Sequence, residues 1–141
     1  MDEHLEVIQS TYKRSIDLIG IESLSKIFFD NFFETYPETI KFFNGTDTAY
    51  FGPRKLSIIF EFLTDIIKHP NYAEGQITQE VIRHQMYGLA DKEYYCTLID
   101  SLHYSVKLTL NHEWNNQCES VWNDITLVFK GHVSASVDAY T

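Results

Sequence analysis

The sequence predicts an all-α protein of one domain, and three observations predict it. Apolar residues recur at steps of three and four along every long segment. No segment sustains the alternation of a strand. The glycines and prolines (Gly20, Gly45, Gly52, Gly75, Gly88 and Gly131, with Pro37, Pro53 and Pro70) read as punctuation between the periodic segments. The pattern predicts about six main helices and one short helix.

The first helix is expected over about residues 3–19, with Leu5, Ile8, Tyr12, Ile16 and Ile19 close to one face. The second covers about 21–35 and carries Leu24, Ile27, Phe28 and Phe32. Pro37 suits the first position of a short helix, with Glu38 in its first turn and an end near Asn44-Gly45. Pro53 is expected to open the next helix, whose stripe is Leu56, Ile59, Phe60, Leu63, Ile66 and Ile67, and Pro70 to stop it. A short helix over about 77–86 ends at Gly88. A long one over about 91–110 carries Tyr95, Leu98, Ile99, Leu102 and Val106. The last, over about 114–130, carries Trp114, Cys118, Val121, Trp122, Ile125, Val128 and Phe129 on one face, and Gly131 interrupts it.

The 141 residues suffice for one domain with a real core, and no repeat or linker divides them. Aromatic residues make up 15% of the chain, enough to fill a core or to wall a pocket for a large flat ligand. A formal net charge of -9 argues against nucleic acid and anionic membranes as partners, since both need a basic face. The first residues lack a basic region followed by an apolar run, and no stretch is apolar for a membrane span, so the expected location is cytoplasmic. Cys96 and Cys118 form no CxxC pair and read as buried free thiols.

His84 carries the chemistry. It stands in Val81-Ile82-Arg83-His84-Gln85-Met86-Tyr87-Gly88-Leu89, where an amphipathic segment ends before a turn. A histidine there can offer a neutral imidazole nitrogen to a metal. Its other nitrogen needs a hydrogen bond, usually to a carbonyl of the preceding turn, and Glu80 lies one turn before. The plain alternative is a helix-end histidine, favoured by the helix dipole. His103 and His112 form no HExxH or i, i+4 pair, and with His4, His69 and His132 they read as structural or surface residues.

Four pieces of the chain, taken in order, resemble the globins, most closely the bacterial flavohaemoglobins and single-domain haemoglobins. They are Phe28-Phe29-Asp30-Asn31-Phe32-Phe33 with Tyr36-Pro37-Glu38 and Phe42-Phe43-Asn44; the stripe Leu56 to Ile67; His84 with Tyr87-Gly88-Leu89 and Tyr94; and Trp122 in a long last helix. The resemblance covers nearly the whole chain and implies a single globin domain over residues 1–141. It implies haem b, bound without covalent attachment, with His84 as the proximal iron ligand. Haem is a large apolar disc, so its pocket needs aromatic and branched walls, and its iron needs an axial ligand from the protein. The implied haem-binding set is Phe29, Phe43, Lys55, Ile59, Val81, His84, Leu89 and Tyr94.

Three departures from the family pattern matter. Phe29 falls where flavohaemoglobins carry a tyrosine that donates to bound oxygen. Such a bond to a charged partner contributes about 1.5–3 kcal/mol, so its loss implies faster oxygen release, autoxidation or another gas preference. Lys55 falls where the family has glutamine or histidine, with Ile59 one turn later over the iron. Three roles are open to Lys55: reaching solvent and the haem propionates, donating to a bound ligand, or ligating iron itself if desolvated and neutral. A shift of one residue would leave Arg54 as the candidate. Last, the carboxylate that works with the tyrosine matched by Tyr94 is missing, since its position reads Val137, beside Asp138.

The expected function is reversible binding of oxygen, nitric oxide or carbon monoxide, as carrier or scavenger or as the gas- or redox-sensing domain of a larger protein. A homodimer is a possible assembly of such a sensor. One alternative is a nitric oxide dioxygenase that draws electrons from a reductase partner or a fused module, since Gly-x-Gly-x-x-Gly is absent. Another is a haem-free globin fold used for protein contacts.

Overall fold

A computed structural model of the chain describes residues 2–43, 48–86, 88–89 and 91–140. All regular structure among them is helical. The elements are α1 (Asp2–Ile19), α2 (Ile21–Thr35), a 3₁₀ segment (Pro37–Phe43), α3 (Thr48–Lys68), α4 (Pro70–Gln85), α5 (Lys92–Leu110), a short 3₁₀ turn (Asn111–Glu113) and α6 (Asn116–Tyr140). Asn44 and Gly45, expected at the end of the short helix, and Tyr87 of the expected turn lie outside the described residues.

The helices pack because each presents one apolar stripe. α2 lies against both α3 and α5, α4 against α3 and α6, and α5 against α6, with α1 spanning α5, α6 and α3. Phe28, Phe32, Leu24, Leu56, Leu63, Ile99, Leu102 and Trp122 are fully buried at the centre. Trp122 is large and carries one polar atom, and its indole N–H donates to Thr11 Oγ1 at 2.9 Å. That bond satisfies the only donor the ring brings into the core. Tyr12 of α1 stacks on Phe60 of α3, with ring centroids 3.8 Å apart. Asp91 caps α5 by accepting from the Glu93 backbone N–H at 2.9 Å, and it also accepts from the Tyr36 hydroxyl.

Four punctuation marks prove not to be breaks. Pro53 does not open α3, which starts at Thr48 and runs through both Gly52 and Pro53. The loss of one N–H near a helix start does not stop a helix whose apolar stripe continues on both sides. α4 begins at Pro70, about two turns before the sequence pattern suggested, and Gly75 lies inside it. A mid-helix glycine costs about 1 kcal/mol relative to alanine, and burial of Ala73, Ile77 and Val81 along the same face offsets that. α6 likewise passes through Gly131 to Tyr140, because Phe129, Val133 and Val137 continue its buried face. Trp114 precedes α6 rather than opening it.

Gly52 has a specific task. A Cβ placed there would lie 2.2 Å from Ser25 Oγ and 3.2 Å from the Phe29 ring. α2 and α3 therefore cross with almost no space between them at this point. Gly52→Ala is expected to destabilise the chain by about 1–3 kcal/mol, the usual range for overpacking. Adding Ser25→Ala should restore most of that loss, because it removes the clashing oxygen. Urea unfolding of the two single variants and the double variant measures both effects. Equal midpoints for wild type and Gly52→Ala would contradict the close crossing.

Candidate functional site

His84 sits in the last turn of α4. Its Nδ1 lies 2.7 Å from the backbone carbonyl of Glu80. A carbonyl only accepts, so Nδ1 carries the proton and Nε2 keeps the lone pair. The expected tautomer is thus fixed by the helix itself, one turn back. Gly88 adopts φ 85°, a left-handed conformation that glycine takes without strain, just beyond the helix end. The turn closes when Leu89 N–H donates to the His84 carbonyl at 3.0 Å.

The ring is also kept neutral. Burial is the main cause and pushes the His84 pKa below its ordinary value, although the hydrogen bond to Glu80 works the other way. The positive charges of Lys55 and Arg83 add to the lowering. Tyr94 and Tyr95 of α5 both hold their rings 5.7 Å from the imidazole. The Tyr95 hydroxyl reaches the same Glu80 carbonyl at 3.5 Å. Burial raises the Tyr94 hydroxyl to about 12, so it stays protonated and is no base at neutral pH.

His84 lines two adjoining cavities, of about 350 and 220 Å³. Four helices wall the larger. α3 supplies Phe51, Lys55, Ile58, Ile59 and Phe62; α4 supplies Ile77, Glu80, Arg83 and His84; α5 supplies Tyr94, Tyr95 and Leu98; α6 supplies Phe129. The smaller cavity adds Phe42, Phe43 and Leu89 and shares Phe51, Lys55, His84 and Tyr94 with the larger. The combined wall is mostly aromatic and branched carbon, with Lys55, Glu80, Arg83, His84 and two tyrosines as its polar members.

The structure gathers most of the expected residues here. His84, Lys55, Ile59 and Tyr94 line the larger cavity, and Phe43 and Leu89 line the smaller. Val81 is buried in the core and belongs to neither wall. Phe29 stands one layer behind, its ring 5.7 Å from that of Phe43 and close against Gly52. Arg54 is exposed, so Lys55 is the cation that α3 turns toward the cavity. Val137 is buried and Asp138 exposed, and neither lines a wall of this site.

Sequence reasoning missed several wall residues. Phe51 lies one turn before Lys55 on the same face of α3, a position that a helix starting at Pro53 leaves out. Ile58 and Phe62 lie one and two turns after Lys55 on that face. Tyr95, Leu98 and Phe129 belong to the buried core, as their periodicity implies, and also line this wall, which periodicity alone does not show. Glu80 was read only for its backbone, yet its carboxylate lies 3.7 Å from His84 Nδ1 and pairs with Arg83.

The other histidines have their own settings. His4 Nε2 lies 3.1 Å from Asp124, His69 precedes α4, and His103 stacks on Trp122 at 5.7 Å between centroids. Among the described residues no group of three or more His, Cys, Asp or Glu side chains is arranged to hold a metal ion. One imidazole therefore does not make a metal site unless a prosthetic group brings the remaining ligands. Among the described residues no helix is long and apolar enough to cross a membrane.

No protein-family model matches the chain, and no curated protein matches it at a significant level.

The depressed pKa of His84, and of His103 where burial again dominates, has a definite sign. The unfolded value is about 6.5, so between the folded value and that point the unfolded chain binds more protons. The stability contributed by these rings is present above about pH 6.5 and is lost as pH falls through the folded values. In the ligand-free chain, NMR titration should place the His84 imidazole midpoint below about 6.5. A midpoint at or above that value contradicts a buried neutral ring. Thermal unfolding should come earlier at about pH 5 than at pH 7, and the gap should narrow in His84→Gln.

Proposed function

We propose that the chain is a globin that holds haem b between α3, α4, α5 and α6 and binds a diatomic gas. One observation carries the reading: a neutral imidazole, locked by its own helix carbonyl, with its lone-pair nitrogen left over beside an apolar cavity. That is the donor haem iron needs from a protein, held by the carbonyl contact that orients such ligands. The wall fits the group as well. Ile59, Phe62, Leu98 and Phe129 would cover its apolar faces, while Phe43, Leu89 and Tyr94 would enclose the smaller side. Bound iron would supply the site at which oxygen, nitric oxide or carbon monoxide coordinates. The chain itself contributes the fifth ligand and the exclusion of water.

Binding is favoured over turnover as a dioxygenase. The carbonyl that orients His84 is neutral, and the nearest carboxylate, that of Glu80, is committed to Arg83. The last helix offers an apolar residue, Val137, where the flavohaemoglobin pattern has a carboxylate. The ring therefore lacks the strong charge that would make it more electron-donating. A carrier, a scavenger or the sensing domain of a larger protein suits this arrangement, and any reduction of the iron falls to a reductase partner or fused module.

Titration of the purified chain with haem tests the reading. A Soret band should appear and saturate at one haem per chain. His84→Ala should abolish stable uptake. No Soret band in the wild type sinks the proposal and leaves the haem-free fold. An unchanged spectrum in His84→Ala removes His84 as the ligand.

A further inference from the structure

We propose that Lys55 is the second axial ligand of the iron, bound from the α3 wall when no gas is present and displaced when gas enters. This rests on the haem reading and deepens it. The α3 wall offers no other donor: Phe51, Ile58, Ile59 and Phe62 present only carbon. Lys55 lines both cavities, as His84 does, so it belongs to the same space from the neighbouring helix.

Among the described residues no carboxylate forms an ion pair with Lys55. Lys26, Lys107 and Lys130 each meet a carboxylate, at 2.7, 2.9 and 2.8 Å. Glu80 is the one carboxylate among the described residues of the cavity wall, and Arg83 holds it. A half-buried ammonium flanked by aromatic and branched carbon, without a partner, is costly. Burial accordingly lowers the Lys55 pKa, with the negative Glu80 opposing and Arg83 assisting. Giving up the proton is therefore easier there than in water, and the amine so formed has a lone pair to give.

The exchange balances without an oxidant or reductant. The ammonium releases one proton to solvent, and the amine nitrogen donates its lone pair to iron. When gas binds, that bond breaks and the amine recovers a proton. Gas then sees only the fraction of molecules in which Lys55 is off, and its apparent affinity falls by that fraction.

Absorption spectra of the haem-loaded chain, ferric and ferrous, test this without any measure of turnover. Wild type without gas should be six-coordinate and low-spin. Lys55→Ala should be high-spin. Carbon monoxide association should level off with concentration in wild type and stay linear in Lys55→Ala. At low concentration it should be about 10–100-fold faster in the variant, if the amine is bound about 90–99% of the time. Lys55→Arg keeps the charge but cannot lose its proton to ligate, so it should follow alanine in being high-spin. Lys55→Leu keeps the wall filled, and a high-spin spectrum there supports the proposal even where alanine fails to retain haem.

A high-spin wild type, or a spectrum that none of these substitutions moves, overturns the assignment while leaving His84 and haem in place. A low-spin Lys55→Arg protein overturns it too, since the role is then one of charge. A wild type that takes up no haem overturns both this inference and the reading beneath it.

Discussion

The bond from His84 Nδ1 to the Glu80 carbonyl is the constraint on which the site depends. It joins a side chain to its own helix at i−4, so it exists only if α4 is helical through its last turn. It fixes the tautomer, and the tautomer decides which nitrogen has a lone pair. A hydrogen bond from Nδ1 favours the protonated ring, yet burial outweighs it and the ring stays neutral. The wall must therefore be dry for the imidazole to be a donor atom rather than a cation. Phe62, Leu98 and Phe129 help keep water out, and each comes from a different helix. Packing and donor chemistry are not separable here.

Charge around the ring is arranged to the same end. Glu80 could draw a proton to His84, since its carboxylate stands 3.7 Å from Nδ1. Arg83, one turn away on the same helix, engages that carboxylate instead. Lys55 and Arg83 then place positive charge near the imidazole and discourage protonation further. The cost of this arrangement falls on Lys55, which among the described residues has no ion-pair partner and is only partly exposed. A polar group that breaks the usual rules of burial marks a place where stability is given up for function.

The parts legible in the sequence were those whose information is local. His84, Glu80 and Gly88 lie within nine residues, and helix geometry alone relates them. The all-α class followed from periodicity, which the buried stripes bear out. What escaped was non-local or hidden behind a misleading residue. Pro53 and Gly52 read locally as a break, which puts the start of α3 after Phe51, whereas the helix begins at Thr48. Gly75 and Gly131 misled in the same way, because tertiary burial outweighs a propensity cost of about 1 kcal/mol. The partnership of Arg83 with Glu80, which leaves Lys55 without an ion pair among the described residues, depends on rotamers and on the meeting of two helices. No spacing rule encodes that.

Gly52 ties these threads together. The close crossing with Ser25 and Phe29 sets how near α3 comes to α2, and it lies one turn before Lys55 on the same helix. Phe29 in turn packs on Phe43, which walls the smaller cavity. A side chain at position 52 would push α3 away from α2, and the displacement would be felt first at Phe51 and Lys55. A dense interior transmits such a shift rather than absorbing it. The glycine that looked like a helix break is thus better understood as the contact that allows α3 to bring its one amine into the cavity. Phe29, which reaches neither cavity, acts through the same contact by fixing the floor against which α3 rests.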